Sequence, residues 1–394
     1  MRYRRGQRWG VVIVVATVVA AALASWVAAG GPPTSAGDLG HLIFVANRDS
    51  NDVAVIDART DRLIKRLKVG ARPHMTIVAG NGMTYTTGSG SDDLTVIDGK
   101  SLKVVGRLPT RAKGPEHGTV SPDGRWLYVA NVEGGALTVV DLAKNKVASV
   151  IGGLANPHNI LFSADGQRAY VTQVGSYRVA LVDTAMHAVT GEVPAGSPVR
   201  LASLTLPKVQ GVNNAVLVRG LSLVFATNQD AGEVAVIDDR SGAVATVIPV
   251  GREPWEPYET PNGRLVLVPN LADETVSVID AASQRVVATL PGGKEMTGIV
   301  VSADSRKAYV VRRGDGLVSV LDLERLAVAK EIPVGKSPEV AARTADGRKV
   351  YVANSGSNDV TVIETATDTV VGTIRNIGRY PWAVTAAGGY NYCH

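Results

Sequence analysis

Three short motifs in the first half of the chain place a histidine just after a proline: Arg72-Pro73-His74, Pro115-Glu116-His117 and Asn156-Pro157-His158. Imidazole is a common metal ligand and the side chain that titrates nearest neutral pH. His74, His117 and His158, brought to one point, would suit a metal ion or a haem iron. The equivalent place in other motifs holds Trp255, Glu339 and Trp382, so the histidines could equally be polar fillers of a repeated loop. The same alignment gathers Arg72, Arg200, Arg252, Glu253 and Tyr380 around them. Arginine beside tryptophan can hold a planar anionic ligand or a partner's side chains. More plainly, such a tryptophan packs a junction and each arginine pairs with a nearby glutamate.

Other chemistry is absent at the level of local motifs. There is no Gly-x-Ser-x-Gly elbow, Walker loop, His-Glu-x-x-His or dinucleotide glycine fingerprint. No residue is assigned a catalytic role, and the balance leans away from an enzyme. The sole cysteine, Cys393, precedes His394, whereas a c-type haem site needs two cysteines before its histidine. A terminal thiol could still form an intermolecular disulfide or help bind a metal, although chain ends rarely carry a site.

The elements that must position the histidines come from a repeat. An apolar strand ending in an acid recurs at Asp57, Asp98, Asp141, Asp183, Asp238, Asp280, Asp322 and Glu364, with spacings of 41, 43, 42, 55, 42, 42 and 42 residues. Each copy has one grammar: Gly-x-x-Pro, a short apolar segment, an Asp-Gly type turn, a strand such as Trp126 to Asn131, then Val-x-Val-Ile-Asp and a final strand. Four short strands with turn residues at fixed offsets describe one blade of a β-propeller. The first copy lacks an inner strand and the last segment, Pro381 to Ala387, is an inner strand without a blade. Their pairing closes the ring. The expected fold is all-β: an eight-bladed propeller of four-stranded antiparallel blades over residues 37–389, with a tail at 390–394.

Strand direction sets the Gly-x-x-Pro loops and the loops after Val-Ala-Asn on one rim, and the histidines with them. The 55-residue spacing implies about 13 extra residues. They are expected within Ser203 to Leu217, between the inner and second strands of the fifth blade, on the face opposite the histidines. A longer loop is a candidate docking element or a drifted turn. Asn47, Asn131, Asn228, Asn270 and Asn354 end strands and are read as structural, bonding the following turn.

Phe44-Val-Ala-Asn47, Tyr128-Val-Ala-Asn131 and Tyr351-Val-Ala-Asn354 resemble the signature of YVTN-family β-propeller proteins, over about residues 41 to 387. The resemblance implies the fold and leaves the function open, because such repeats serve many roles. Eight blades with export also resemble, more distantly, the d1-haem domain of cytochrome cd1 nitrite reductase and related maturation proteins.

Residues 1–36 read as a leader: Arg2, Arg4, Arg5 and Arg8, an uncharged run from Val11 to Ala29, and small residues at a cleavage point. The run would also serve as an uncleaved membrane anchor. It holds four of the 41 basic and none of the 36 acidic residues, which leaves 37 against 36, a net +1. That balance argues against nucleic acid as a partner. The expectation is a periplasmic or secreted binding module for a small ligand or protein partner. The alternatives are a protein binding or maturing a haem-like tetrapyrrole or metal cofactor, and a propeller subunit of a periplasmic dehydrogenase.

Overall fold

The computed structural model describes residues 39–196 and 211–391. The leader, Arg200, Cys393 and His394 lie outside them. The described chain forms an eight-bladed β-propeller. Blade 1 combines Pro381–Ala386 with Leu42–Asn47, Asp52–Asp57 and Arg62–Lys68. The inner strands of blades 2 to 8 are Pro73–Val78, Pro115–Val120, Pro157–Phe162, Gly211–Val218, Tyr258–Glu259, Met296–Val301 and Pro338–Arg343.

Burial explains the strand sequences. Second strands such as Leu42–Asn47 and Leu223–Asn228 are buried along their whole length, since a neighbouring blade covers each face. They therefore read as continuous apolar runs, while outer strands such as Lys103–Pro109 stay largely exposed and polar on one face. In every blade the third strand slips register against the outer strand by one residue, for example between Val55 and Ile56. Such bulges increase the local twist that propeller blades need. The recurring terminal acid caps the next turn: Asp141 accepts the Ala143 and Lys144 amides, each at 3.0 Å, and Asp238 accepts that of Ser241 at 2.7 Å.

The ring closes as the sequence implies, with Ile43 opposite Ala386 and Val45 opposite Val384. Two details differ from expectation. The fifth inner strand is Gly211–Val218, and only the short turn at 219–222 joins it to Leu223–Asn228. The extra residues therefore precede that strand, after the outer strand Ala188–Pro194, and both flanking ends belong to the histidine rim. The expected position between inner and second strands, on the opposite face, is wrong. Gly196-Ser-Pro198 imitates the entry motif, whereas the true inner strand carries Val212 where six of its seven siblings carry proline and one carries Met296. Secondly, Tyr390–Asn391 pair with Ala342 and Arg343, adding a fifth strand to blade 8.

Candidate functional site

Eight equivalent entry loops build one mouth of the channel. The residue before each entry proline or its equivalent is left-handed: Tyr380, Arg72, Asn156, Glu253, Glu295 and Ser337 have φ between 42° and 55°, and Gly114 and Gly211 have 66° and 67°. The carbonyl of each accepts the amide of the residue at the exit of the second strand, from Arg48 to Ser355, at 2.9–3.2 Å. The repeated asparagine stands behind this loop. Asn270 accepts the Gly251 amide at 3.1 Å and donates to Ser277 at 2.9 Å. A Cβ on Gly251 would lie 2.6 Å from the Asn270 Cγ, and one on Gly335 2.5 Å from that of Asn354. The entry glycine is thus required by close approach of the asparagine. Asparagine bonds the third strand and the entry loop, a wider structural role than a turn cap.

The loop fixes which residue faces the mouth. Pro381, Pro73, Pro115, Pro157, Val212, Pro254, Met296 and Pro338 all sit opposite the last residue of their second-strand motif. The next residues form a ring: Trp382, His74, Glu116, His158, Asn213, Trp255, Thr297 and Glu339. All but Asn213 line a cavity of about 830 Å³, joined by Arg48, Ser89, Leu271, Lys294 and Arg313. Threonine hydroxyls stitch neighbouring blades together here: Thr87, on the second strand of blade 2, donates to the Glu116 carbonyl at 2.9 Å, and Thr297, on an inner strand, to that of Glu339 at 2.6 Å.

The structure brings His74, His117 and His158 together, though not as equivalents. Glu116, not His117, occupies the register of His74 and His158; His117 lies one residue deeper. Ring centroids are 5.0 Å apart for His74 and His117, and 4.0 Å for His117 and His158. Side-chain donor atoms of His74, Glu116 and His117 all lie within 4.8 Å of one another, a grouping that leaves His158 outside. His158 sets Nδ1 3.1 Å from the Asn213 carbonyl, which can only accept, so Nδ1 carries the proton. Burial pulls its pKa down to about 4, against the Asn213 and Asn214 contacts, so the ring is neutral.

The other walls mix charge and aromatic surface. Trp382 lies 5.7 Å from His74, is stacked by Tyr380 at 6.1 Å and has the Arg48 guanidinium 5.2 Å from its ring. Glu339 is buried, accepts the Ser355 hydroxyl at 2.6 Å and has Arg313 at 3.5 Å. Burial still pushes its carboxyl above the usual range, with Ser355, Arg313, Tyr380 and Arg48 opposing. Burial likewise raises Glu116; Arg48 and Arg72 oppose it and Glu133 adds to it. Glu253, Glu274 and Glu295 complete an acid-rich lining.

Arg252 does not join them. It is exposed and tied to Asp273 by a 2.6 Å contact, the plain pairing open to any surface arginine. Glu116, Arg48 and Arg313 went unnoticed in the sequence. Glu116 was hidden by matching His117 to the other histidines; Arg48 and Arg313 directly follow second strands, on the rim that strand direction had already marked. Glu256 was also unforeseen: buried beside Tyr258, which donates to it at 3.0 Å, its pKa is pushed up to about 8 by burial.

A profile for the YNCE-like beta-propeller family matches residues 83–388. The YncE protein of Salmonella typhi is 26% identical over 218 residues, covering 51% of this chain and 58% of its own length. The chain thus spans little more than half of that relative. Among solved structures, dihydro-heme d1 dehydrogenase NirN in complex with DHE aligns with a TM-score of 0.73 at 17% identity, covering 91% of this chain and 78% of that one. Apo AztD from Citrobacter koseri aligns at 0.66 and 13% identity, covering 89% and 98%. At these identities the two structures establish the fold.

Proposed function

The chain belongs to the YNCE-like β-propeller family, and from that premise we propose that it is a binding protein whose ligand occupies the histidine-bearing mouth of the propeller. The observation carrying this reading is the cavity of about 830 Å³ into which seven of the eight inner strands deliver the same position. Ligand sites of small molecules fall in the range of roughly 300–1,000 Å³ and favour the mouths of closed β structures. Two half-buried indoles supply apolar area, and the carboxylates and guanidiniums supply orientation. The leader supports export, so the ligand would be met in the periplasm or outside the cell.

A thermal-shift screen of the full chain against divalent metals, polyamines, amino acids and haemin tests this. At least one class should raise the melting temperature of the wild type and lose that effect in Trp255→Ala/Glu339→Ala or, for the divalent metals, in Glu116→Gln. Equal shifts in the wild type and both variants would contradict the reading. A second reading, a haem-like tetrapyrrole, is supported by His74 and His158 on a wall shared with Trp382 and Trp255. Haemin should then show a Soret shift saturating at one equivalent; a spectrum unaffected by the protein would remove it.

A further inference from the structure

We propose that His74, Glu116 and His117 form a binding site for a divalent first-row transition-metal ion, with an open coordination position facing the mouth cavity. The inference rests on the reading that this mouth is the binding site and names the chemistry of its ligand. Glu116 and His117 are consecutive, and in a regular strand their side chains would point to opposite faces. The register shift between Pro115 and Gly118 breaks that alternation, and a matching shift between Pro73 and Thr76 turns His74 toward them. Bulges re-aim side chains in this way beside functional sites. As a result, two imidazoles and one carboxylate from adjacent blades come within 4.8 Å of one another.

The donor set selects the ion. Two histidines and one glutamate match catalytic zinc sites with three protein ligands, and imidazole also suits copper, nickel and iron. Calcium and magnesium prefer oxygen ligands throughout. Bonds of about 2.1 Å place tetrahedral donors about 3.4 Å apart, so the trio must close by an ångström or so around the ion. The Thr87 hydroxyl, bonded to the Glu116 carbonyl at 2.9 Å, holds the strand in place while the side chains close. His74 and Glu116 line the cavity while His117 sits behind them against His158, so the remaining coordination position opens inward. A metal there would anchor a ligand through a donor atom of its own.

Equilibrium dialysis of the full chain against Zn²⁺, with Co²⁺ absorption as the spectroscopic probe, tests the site. One equivalent should bind, and Glu116→Gln and His117→Gln should each weaken binding by at least about 10-fold. Glu116→Gln keeps the side chain's shape, and its metal-free melting temperature should match the wild type. Uptake below one equivalent, unchanged affinity in both variants, or a cobalt–thiolate band assigning the ion to Cys393 would overturn the proposal. If Zn²⁺ fails while another ligand class still depends on Trp255 and Glu339, the metal assignment falls alone. If Zn²⁺ binding does not depend on Glu116 and His117 and no other ligand depends on Trp255 and Glu339, the mouth itself is not the site.

Discussion

At the scale of single residues, burial decides the chemistry of the inner ring. Among the described residues no cation shifts Glu256; Tyr258 donates to its carboxylate, and desolvation nevertheless pushes its pKa up to about 8. In the unfolded chain a glutamate titrates at about 4.3. The folded state therefore holds an extra proton between these values. Stability contributed by the protonated form is complete below about pH 4 and is lost as pH rises through about 8. Glu256→Gln keeps a neutral side chain at every pH. Denaturant unfolding across pH 5 to 9 should show the wild type losing stability relative to Glu256→Gln as pH rises; parallel curves would refute the shift. None of this was legible in Pro254-Trp255-Glu256, because desolvation depends on what the neighbouring blades place around the carboxyl. The histidines were legible by spacing, but the one-residue offset that substitutes Glu116 for His117 in the ring was not. It depends on where each strand bulges.

At the scale of elements, one repeated tyrosine position locks five of the eight blades to the blade that follows. The third residue of the second strand is tyrosine in five blades, and its hydroxyl reaches the turn between the third and outer strands of the following blade. Tyr85 donates to Asn145 at 3.1 Å, Tyr128 meets His187 Nδ1 at 2.6 Å, and Tyr309 donates to Asp368 at 2.7 Å. Across the ring closure Tyr351 donates to Asp61, which also pairs with Lys349 at 2.7 Å. Removing the Tyr351 hydroxyl should cost about 1.5–3 kcal/mol, the range for a hydrogen bond to a charged group. Asp61→Ala should cost more, since it strands the Tyr351 hydroxyl and the Lys349 ammonium together. Chemical denaturation checks both; two variants within 0.5 kcal/mol of the wild type, roughly the spread of neutral surface changes, would show that the lock carries no stability. The repeat made these elements readable, since turn acids and apolar strands recur with fixed spacing. It failed at blade 5, where Val212 replaces the entry proline and a decoy Gly-x-Pro lies upstream. Only pairing, Val212 opposite Asn228, separates the two.

At the scale of the whole molecule, eight near-identical units create a mouth that no single unit could form, and the chemistry lies in how they differ. Tryptophan, histidine, glutamate, asparagine and threonine occupy one repeated position, so a ring of equivalent backbones presents a deliberately unequal wall. Pairing of strands from both ends of the repeat array completes the first blade and closes that ring, so that only short outer-strand edges face solvent. The central claim is that the histidine–glutamate side of this wall binds through metal coordination. Diffraction from crystals of the full chain soaked in Zn²⁺, recorded at the zinc edge, tests it most directly. One strong anomalous peak is expected about 2.1 Å from imidazole nitrogens of His74 and His117 and a carboxylate oxygen of Glu116. A map with no peak at that position, or with zinc only at the outer surface of the blades, would contradict it.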